Sequence, residues 1–232
     1  MRFGSLREIE ETRPWWVVCG QGPSWANVDV GLVDRVRRDH PVAVIAVNGA
    51  VEHVPAADYW FTLDPSRENL DLMRDPVDGV RYVAAVPDEF GTPEARHRWQ
   101  RPPVPEHVLY LRRVVAEEPT EGPFEERVWA QIVGGMSEDP RAIHTGNSGF
   151  GALQLACLLG AERVTLLGID GHGRERWDGS PNFYLGHLPH LFRGALPQLQ
   201  ERGVLVANGS PESFVDCFPR LRPRDALAWL VR

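Results

Sequence analysis

Eight residues near the start of the chain, Val17-Val18-Cys19-Gly20-Gln21-Gly22-Pro23-Ser24, have the types and spacing to meet an anion. An apolar run entering a tight Gly-x-Gly-Pro-Ser turn can present backbone N–H groups to a phosphate, because glycine lets the chain approach without a Cβ and a following helix start adds its positive dipole end. Read this way the turn handles a nucleotide; read plainly it is an ordinary tight turn, and the residues alone leave both open. A second group of chemical residues lies far downstream. Asn147-Ser148-Gly149 opens an apolar stretch, Gly168-Ile169-Asp170 ends another in a carboxylate, and Tyr184 and His187 follow in Tyr-Leu-Gly-His. A histidine titrates near neutrality and suits proton abstraction from a hydroxyl. A tyrosine can donate its phenolic proton toward a developing phosphate charge.

Composition removes several alternatives. All 25 basic side chains are arginine and no lysine occurs. A Walker-type lysine, a Schiff-base lysine and a lysine general base are therefore excluded. Any phosphate must be met by backbone amides, hydroxyls or arginine. With 32 acidic residues and a formal net charge of -7, the chain lacks the balance of a nucleic-acid-binding surface, and a small molecule is the expected partner. Cys19, Cys157 and Cys217 have neither paired nor metal-ligand spacing and read as buried reduced thiols. Glu8, Glu10 and Glu11 follow the first Met closely, with no apolar leader and no run long enough to cross a membrane, so a cytoplasmic protein is expected.

The elements that must hold these residues show in the hydropathy pattern. Short apolar runs recur at Trp15–Cys19, Val42–Val47, Asp58–Leu63, Val80–Val86, Val108–Leu111, Val164–Ile169 and Val204–Ala207, with helical patterns between them. Several are apolar on both faces, as in strands covered on each side. The expectation is an α/β fold: one domain over residues 1–232, with a Rossmann-like, doubly wound, mainly parallel sheet, helices on both faces and ligands beyond the strand C-terminal ends. Asn147 to Gly160 reads as a buried helix with a polar cap and a terminal glycine. The stretch from Pro87 to Arg141, rich in Pro, Glu and Arg, reads as a solvated insertion or as a loop rimming the pocket. Gly171 to Gly186 reads as a lid, in which Arg174, Arg176 and Trp177 sit among glycines.

Taken together, four segments resemble the sialyltransferase-like fold of bacterial glycosyltransferase family 42, which transfers sialic acid from a cytidine-monophosphate donor. They are Gly20-Gln21-Gly22-Pro23-Ser24, Val47-Asn48-Gly49, Asn147-Ser148-Gly149 with Gly168-Ile169-Asp170, and Tyr184-Leu185-Gly186-His187. All but the last also resemble a wider group of archaeal 6-hydroxymethylpterin diphosphokinases and flagellin-modifying glycosyltransferases. The resemblance implies transfer of a sugar from a CMP-linked donor to a hydroxyl acceptor, with His187 as base and Tyr184 assisting the leaving phosphate. It also implies that Asn48 and Ser148 contact ribose and phosphate, and that Gly22 and Ser24 lie at the phosphate. No cofactor is required, and the chain has no Asp-x-Asp pair to hold a divalent ion.

Three positions depart from the family pattern. Gln21 replaces an asparagine, His144-Thr145-Gly146 stands where an arginine is usual, and Asp64 stands where a second asparagine is usual. A carboxylate at Asp64 would repel phosphate but could hold ribose hydroxyls or Mg²⁺. Asp64 and Asp170 as Mg²⁺ ligands motivate the alternative, pyrophosphoryl transfer from ATP in the manner of the pterin diphosphokinases. The departures together motivate a further alternative, a nucleotide-binding module without turnover. A metal site from Asp170, His172, His187 and His190 lacks supporting ligands.

Overall fold

The computed structural model describes residues 3–64, 66–87, 105–116, 121–172, 175–181 and 185–232. Among them eight strands form one sheet: β1 (Trp15–Cys19), β2 (Val42–Val47), β3 (Tyr59–Thr62), β4 (Arg81–Val86), β5 (Leu109–Val114), β6 (Ala142–His144), β7 (Arg163–Leu167) and β8 (Leu205–Asn208). The spatial order is β6-β5-β4-β3-β2-β1-β7-β8, and every pairing is parallel. The chain winds outward from β1 to β6, then crosses back to lay β7 against the free side of β1. Winding direction reverses between β1 and β7, which makes their C-terminal ends the switch point where an open α/β sheet leaves a crevice.

Strand pleating sorts alternate side chains to two cores. Trp16, Val18, Ile45, Phe61 and Val164 join one, while Val17, Val44, Trp60 and Tyr82 join the other. Each fully buried large apolar side chain contributes roughly 1.5–3 kcal/mol, so a sheet buried on both faces is the main stabilising element. The second core is closed by α1 (Val30–Asp39), α2 (Arg67–Arg74) and α7 (Pro223–Leu230), through Val33, Met73, Leu227 and Leu230. Local sequence sets these helices. Asp29 caps α1 by accepting from the Leu32 amide, Ser66 caps α2 by accepting from the Asn69 amide, and α7 starts at Pro223, where a missing N–H is harmless.

On the other face lie α4 (Ser148–Leu158), α5 (Leu188–Gly194) and α6 (Leu196–Glu201). α4 makes the long return crossing from β6 and packs on β1, β2 and β3 as well. Sheet below and α5 above bury Ser148 through Cys157 without a break, which is why its sequence is apolar all round. Gly151 lets it approach closely: a Cβ there would lie 2.6 Å from the Phe61 ring. Gln154, fully buried, accepts from the Ser137 and His144 amides at 3.1 and 3.0 Å and donates to the His144 carbonyl at 3.0 Å. One amide side chain thus clips the helix to the edge strand.

The stretch from 87 to 141 is not simply an insertion. It contains β5, paired with β4 and β6, and α3 (Phe124–Gln131). Leu111, wholly buried, ties it to the core despite the polar residues around it. Residues 88–104 and 117–120, including the start of the acidic run, lie outside the described residues. β5 overlaps the expected run Val108–Leu111, whereas β6 was not expected, because three residues are too short for a period to register. Among the described residues no helix is long and apolar enough to cross a membrane. Cys19 and Cys157 are buried, Cys217 is half-buried, and all three are free thiols.

Candidate functional site

At the switch point the two glycine turns lie against each other. The Gly20 amide donates to the Leu167 carbonyl at 2.8 Å and the Gly22 amide to the Gly168 carbonyl at 2.8 Å, so the β1–β7 ladder continues past both strand ends. Gly168 has φ +66, and a Cβ on it would stand 2.6 Å from the Gly20 carbonyl oxygen. Only glycine fits there. Beside this contact lies a cavity of about 100 Å³, lined by residues from both turns, from the end of β2, from the start of α4 and from the segments around Arg176 and Leu188.

Of the residues singled out in the sequence, Gly20, Gln21, Gly22, Asn48, Asn147, Ser148, Gly149 and Asp170 all line this one cavity. Four segments far apart in the chain therefore meet, and each is held by a specific device. Asn147 caps α4, its Oδ1 accepting from the Gly149 amide at 2.7 Å and the Phe150 amide at 3.4 Å. The Ser148 hydroxyl accepts from the Leu63 amide at 3.1 Å, tying α4 to the end of β3. Asn48 has φ +53, the only positive φ on a non-glycine among the described residues. Its carbonyl accepts from the Trp60 indole at 2.8 Å and its Oδ1 from the Asn69 amide group at 3.4 Å. A strained residue held from two sides at a cavity wall is a recurring mark of a functional position.

Asp170 is 3% exposed. Its Oδ2 accepts from the Ser24 amide at 2.8 Å, while Oδ1 has no partner among the described residues. The loop after β8 fixes it from behind, since the Phe214 amide and the Ser213 hydroxyl both donate to the Asp170 carbonyl, at 2.7 and 3.0 Å. This arrangement corrects the expected phosphate cradle. Gly20, Gly22 and Ser24 spend their amides on the protein itself, Trp25 donates to the Gly22 carbonyl, and Pro23 has no N–H. The protein's own carboxylate stands where the phosphate was expected, because β7 ends beside the turn. Ser24 also falls outside the cavity lining, with its hydroxyl buried and unpartnered among the described residues.

Two further expectations change. Asp64 is exposed and does not line the cavity; its amide and carbonyl close a turn on the Thr62 hydroxyl, and Asn69 donates to the same carbonyl at 3.0 Å. Asp64 and Asp170 are thus not brought to one cavity. His187 is 3% exposed and does not line the cavity either. Its Nε2 donates to the Gly146 carbonyl at 2.8 Å, Nδ1 is buried without a partner among the described residues, and Trp129 stands edge-on at 6.3 Å. Burial lowers its pKa, outweighing the Gly146 hydrogen bond that raises it, with His190 lowering it further. It braces the turn before Asn147 from behind. Tyr184, Arg174 and the rest of 182–184 lie outside the described residues.

Two titratable side chains absent from the expected pocket residues line the cavity, His172 and Arg176. Arg176 belongs to the loop arginines of the expected lid; His172 lies two residues past Asp170, and only tertiary structure gives it a direction. Arg176 pairs with Glu68 at 3.4 Å, and next to it the Trp177 amide donates to the Gln21 carbonyl at 3.1 Å while the indole packs edge-on against His53 at 4.9 Å. The described part of the expected lid therefore rests on the glycine turn. Among the described residues no three His, Cys, Asp or Glu side chains cluster as metal ligands.

No protein-family model matches the chain, and no curated protein matches it. Solved structures do. The sialyltransferase CstII from Campylobacter jejuni in complex with the substrate analogue CMP-3FNeuAc is similar with a TM-score of 0.48 at 11% identity, over 90% of this chain and 86% of that one. The same enzyme in complex with cytidine-5'-monophosphate gives 0.48 at 12% identity, over 91% and 86%. A mutant of the alpha-2,3/8-sialyltransferase CstII gives 0.44 at 13% identity, over 90% and 86%.

Proposed function

We propose that the cavity at the β1/β7 switch point binds a nucleotide and that the chain is a glycosyltransferase-like enzyme, passing a sugar from a CMP-linked donor to a hydroxyl acceptor. The observation that carries this reading is the convergence of Gly20–Gly22, Asn48, Asn147–Gly149 and Asp170 on one cavity at the position where such sheets take their ligands. The charges suggest how the donor lies. With Asp170 closing the Gly22-Pro23-Ser24 turn, an anion is repelled from it and drawn toward Arg176 and the N-terminal end of α4. The unpartnered Asp170 Oδ1 instead suits a ribose or sugar hydroxyl as donor.

Thermal-shift and calorimetric titration with CMP, UMP, AMP and ATP, with and without Mg²⁺, test this. CMP is expected to bind in the presence of chelator, and Asp170→Asn to weaken it by about tenfold or more. Binding of ATP only with Mg²⁺, with release of AMP, would replace this reading by pyrophosphoryl transfer. Tight CMP binding without turnover of any CMP-linked sugar would leave a binding module.

A further inference from the structure

We propose that His172, rather than His187, is the general base of this site. The proposal rests on the donor-binding reading above and deepens it. A base for the acceptor hydroxyl must reach the reacting atoms through an unoccupied ring nitrogen. His187 has neither the position nor the nitrogen: it is buried behind the cavity wall, Nε2 is engaged by the Gly146 carbonyl, and Nδ1 is sealed in the interior. Among the described residues His172 is the only histidine that lines the cavity. It follows Gly171, whose φ of +71 turns the chain sharply after Asp170.

Two features hold the His172 ring in place. Its backbone continues from Asp170, which the Ser213 hydroxyl and the Phe214 amide anchor. Its ring packs on Phe214 with centroids 5.0 Å apart and planes tilted by 54°. Phe214 is 59% exposed, an unusual state for a phenyl ring whose backbone is so firmly tied, and it forms one side of the support for the imidazole. His172 itself is only partly buried, so a proton taken in the cavity can pass on to water. The charged side chains sharing the cavity are Asp170 and Arg176, the latter paired with Glu68, and the packed segment Ser213-Phe214-Val215 contributes none.

In the step, the acceptor oxygen forms its bond to the anomeric carbon as its proton moves to a ring nitrogen of His172. The bond from that carbon to the donor phosphate oxygen breaks, and its electron pair leaves on CMP. His187 is then a positioning residue, holding Gly146 and through it the Asn147 cap of α4.

Carbethoxylation of the native chain by diethyl pyrocarbonate, mapped by mass spectrometry with and without CMP, separates the two imidazoles. His172 is expected to react and to be slowed several-fold by CMP, and His187 to stay unmodified. On the CMP-linked sugar that the wild type hydrolyses fastest, His172→Gln is expected to lower kcat by roughly 10²–10⁴-fold with the CMP thermal shift retained, and His172→Gly to be partly rescued by added imidazole. His187→Gln is expected to lower Tm and to show no imidazole rescue. Protection of His187 instead of His172, or wild-type turnover by His172→Gln, overturns the proposal. A normal CMP shift with unprotected His172 overturns it alone, whereas no CMP shift in the wild type removes the donor reading and this proposal together.

Discussion

The two ends of the same strands are built to opposite rules. At the N-terminal ends of β1, β2 and β3, Glu11, Arg13, Arg37, Asp58 and Tyr59 form a closed polar network. Asp58 accepts from Arg13 and Arg37 at 2.7 Å each and from the Val44 amide at 2.9 Å, while Glu11 accepts from Arg13 and from the Tyr59 hydroxyl, both at 2.7 Å. At the C-terminal ends, Asp170 Oδ1, Asn69 Oδ1, Ser24 Oγ and His187 Nδ1 are buried without partners among the described residues, and Asn48 is strained. A satisfied network rigidifies, whereas unsatisfied buried groups lower stability unless a ligand completes them. The lower end of the sheet is satisfied internally, whereas the upper end keeps buried polar atoms that no described residue pairs.

The sharpest way to break this contrast is at the backbone contact between the two glycine turns of the upper end. Gly168→Ala places a Cβ against the Gly20 carbonyl in a left-handed backbone and is expected to remove about 4 kcal/mol, a fall in Tm of roughly 8–16 °C by denaturation scan. Gly160→Ala, also at positive φ (+92) but in open space, is expected to lose only about 1 kcal/mol. Equal losses would mean that the strain, and not the junction of the turns, sets the difference.

Exchanging carboxylates between the ends is the next test. Asp58→Ala leaves two partly buried guanidinium groups opposed and is expected to destabilise by about 3 kcal/mol in urea titration, with CMP binding unchanged. Asp170→Asn keeps an acceptor for the Ser24 amide and is expected to shift stability by under about 1 kcal/mol while weakening CMP binding. The reverse pattern would sink the division of labour.

Acid should then weaken the two ends in sequence. Burial lowers the pKa of His187 and of His144 below the ordinary 6.5, so the unfolded chain takes up protons first. Their contribution is present above about pH 6.5 and declines below it. For Glu11, burial alone would raise the carboxyl, but hydrogen bonds from Arg13 and Tyr59 and the Arg13 charge outweigh it and bring it from 4.5 to about 2. That contribution holds above pH 4.5 and is lost toward pH 2; discounted for partial solvent screening, it is on the order of 1–2 kcal/mol. Chemical denaturation across pH checks both limbs: His187→Gln should flatten the upper one and Glu11→Gln the lower one.

Much of this molecule was written along the chain. Doubly apolar runs such as Val42–Val47 state a strand covered on both faces, and the Asn147 cap with Gly160 states where α4 begins and stops, because both signals are local. The set of pocket segments was also legible, since glycines and polar residues after strand ends mark turns in any parallel sheet. The three-residue β6 was not, because its own pattern is too short to show a period, whereas β5 overlaps the apolar run Val108–Leu111.

What the sequence determined by itself was the chemistry available: no lysine, a carboxylate after Ile169, imidazoles at His172 and His187, and glycines where chains must approach. Only the tertiary structure decided which way each group faces. Asp170 turned back onto the Ser24 amide, His187 sank against Gly146, Asp64 stayed outside and His172 came to the cavity. The reason is physical: a side chain's direction is set by the elements packed around it, and those packings join residues more than a hundred positions apart, beyond the reach of any local pattern.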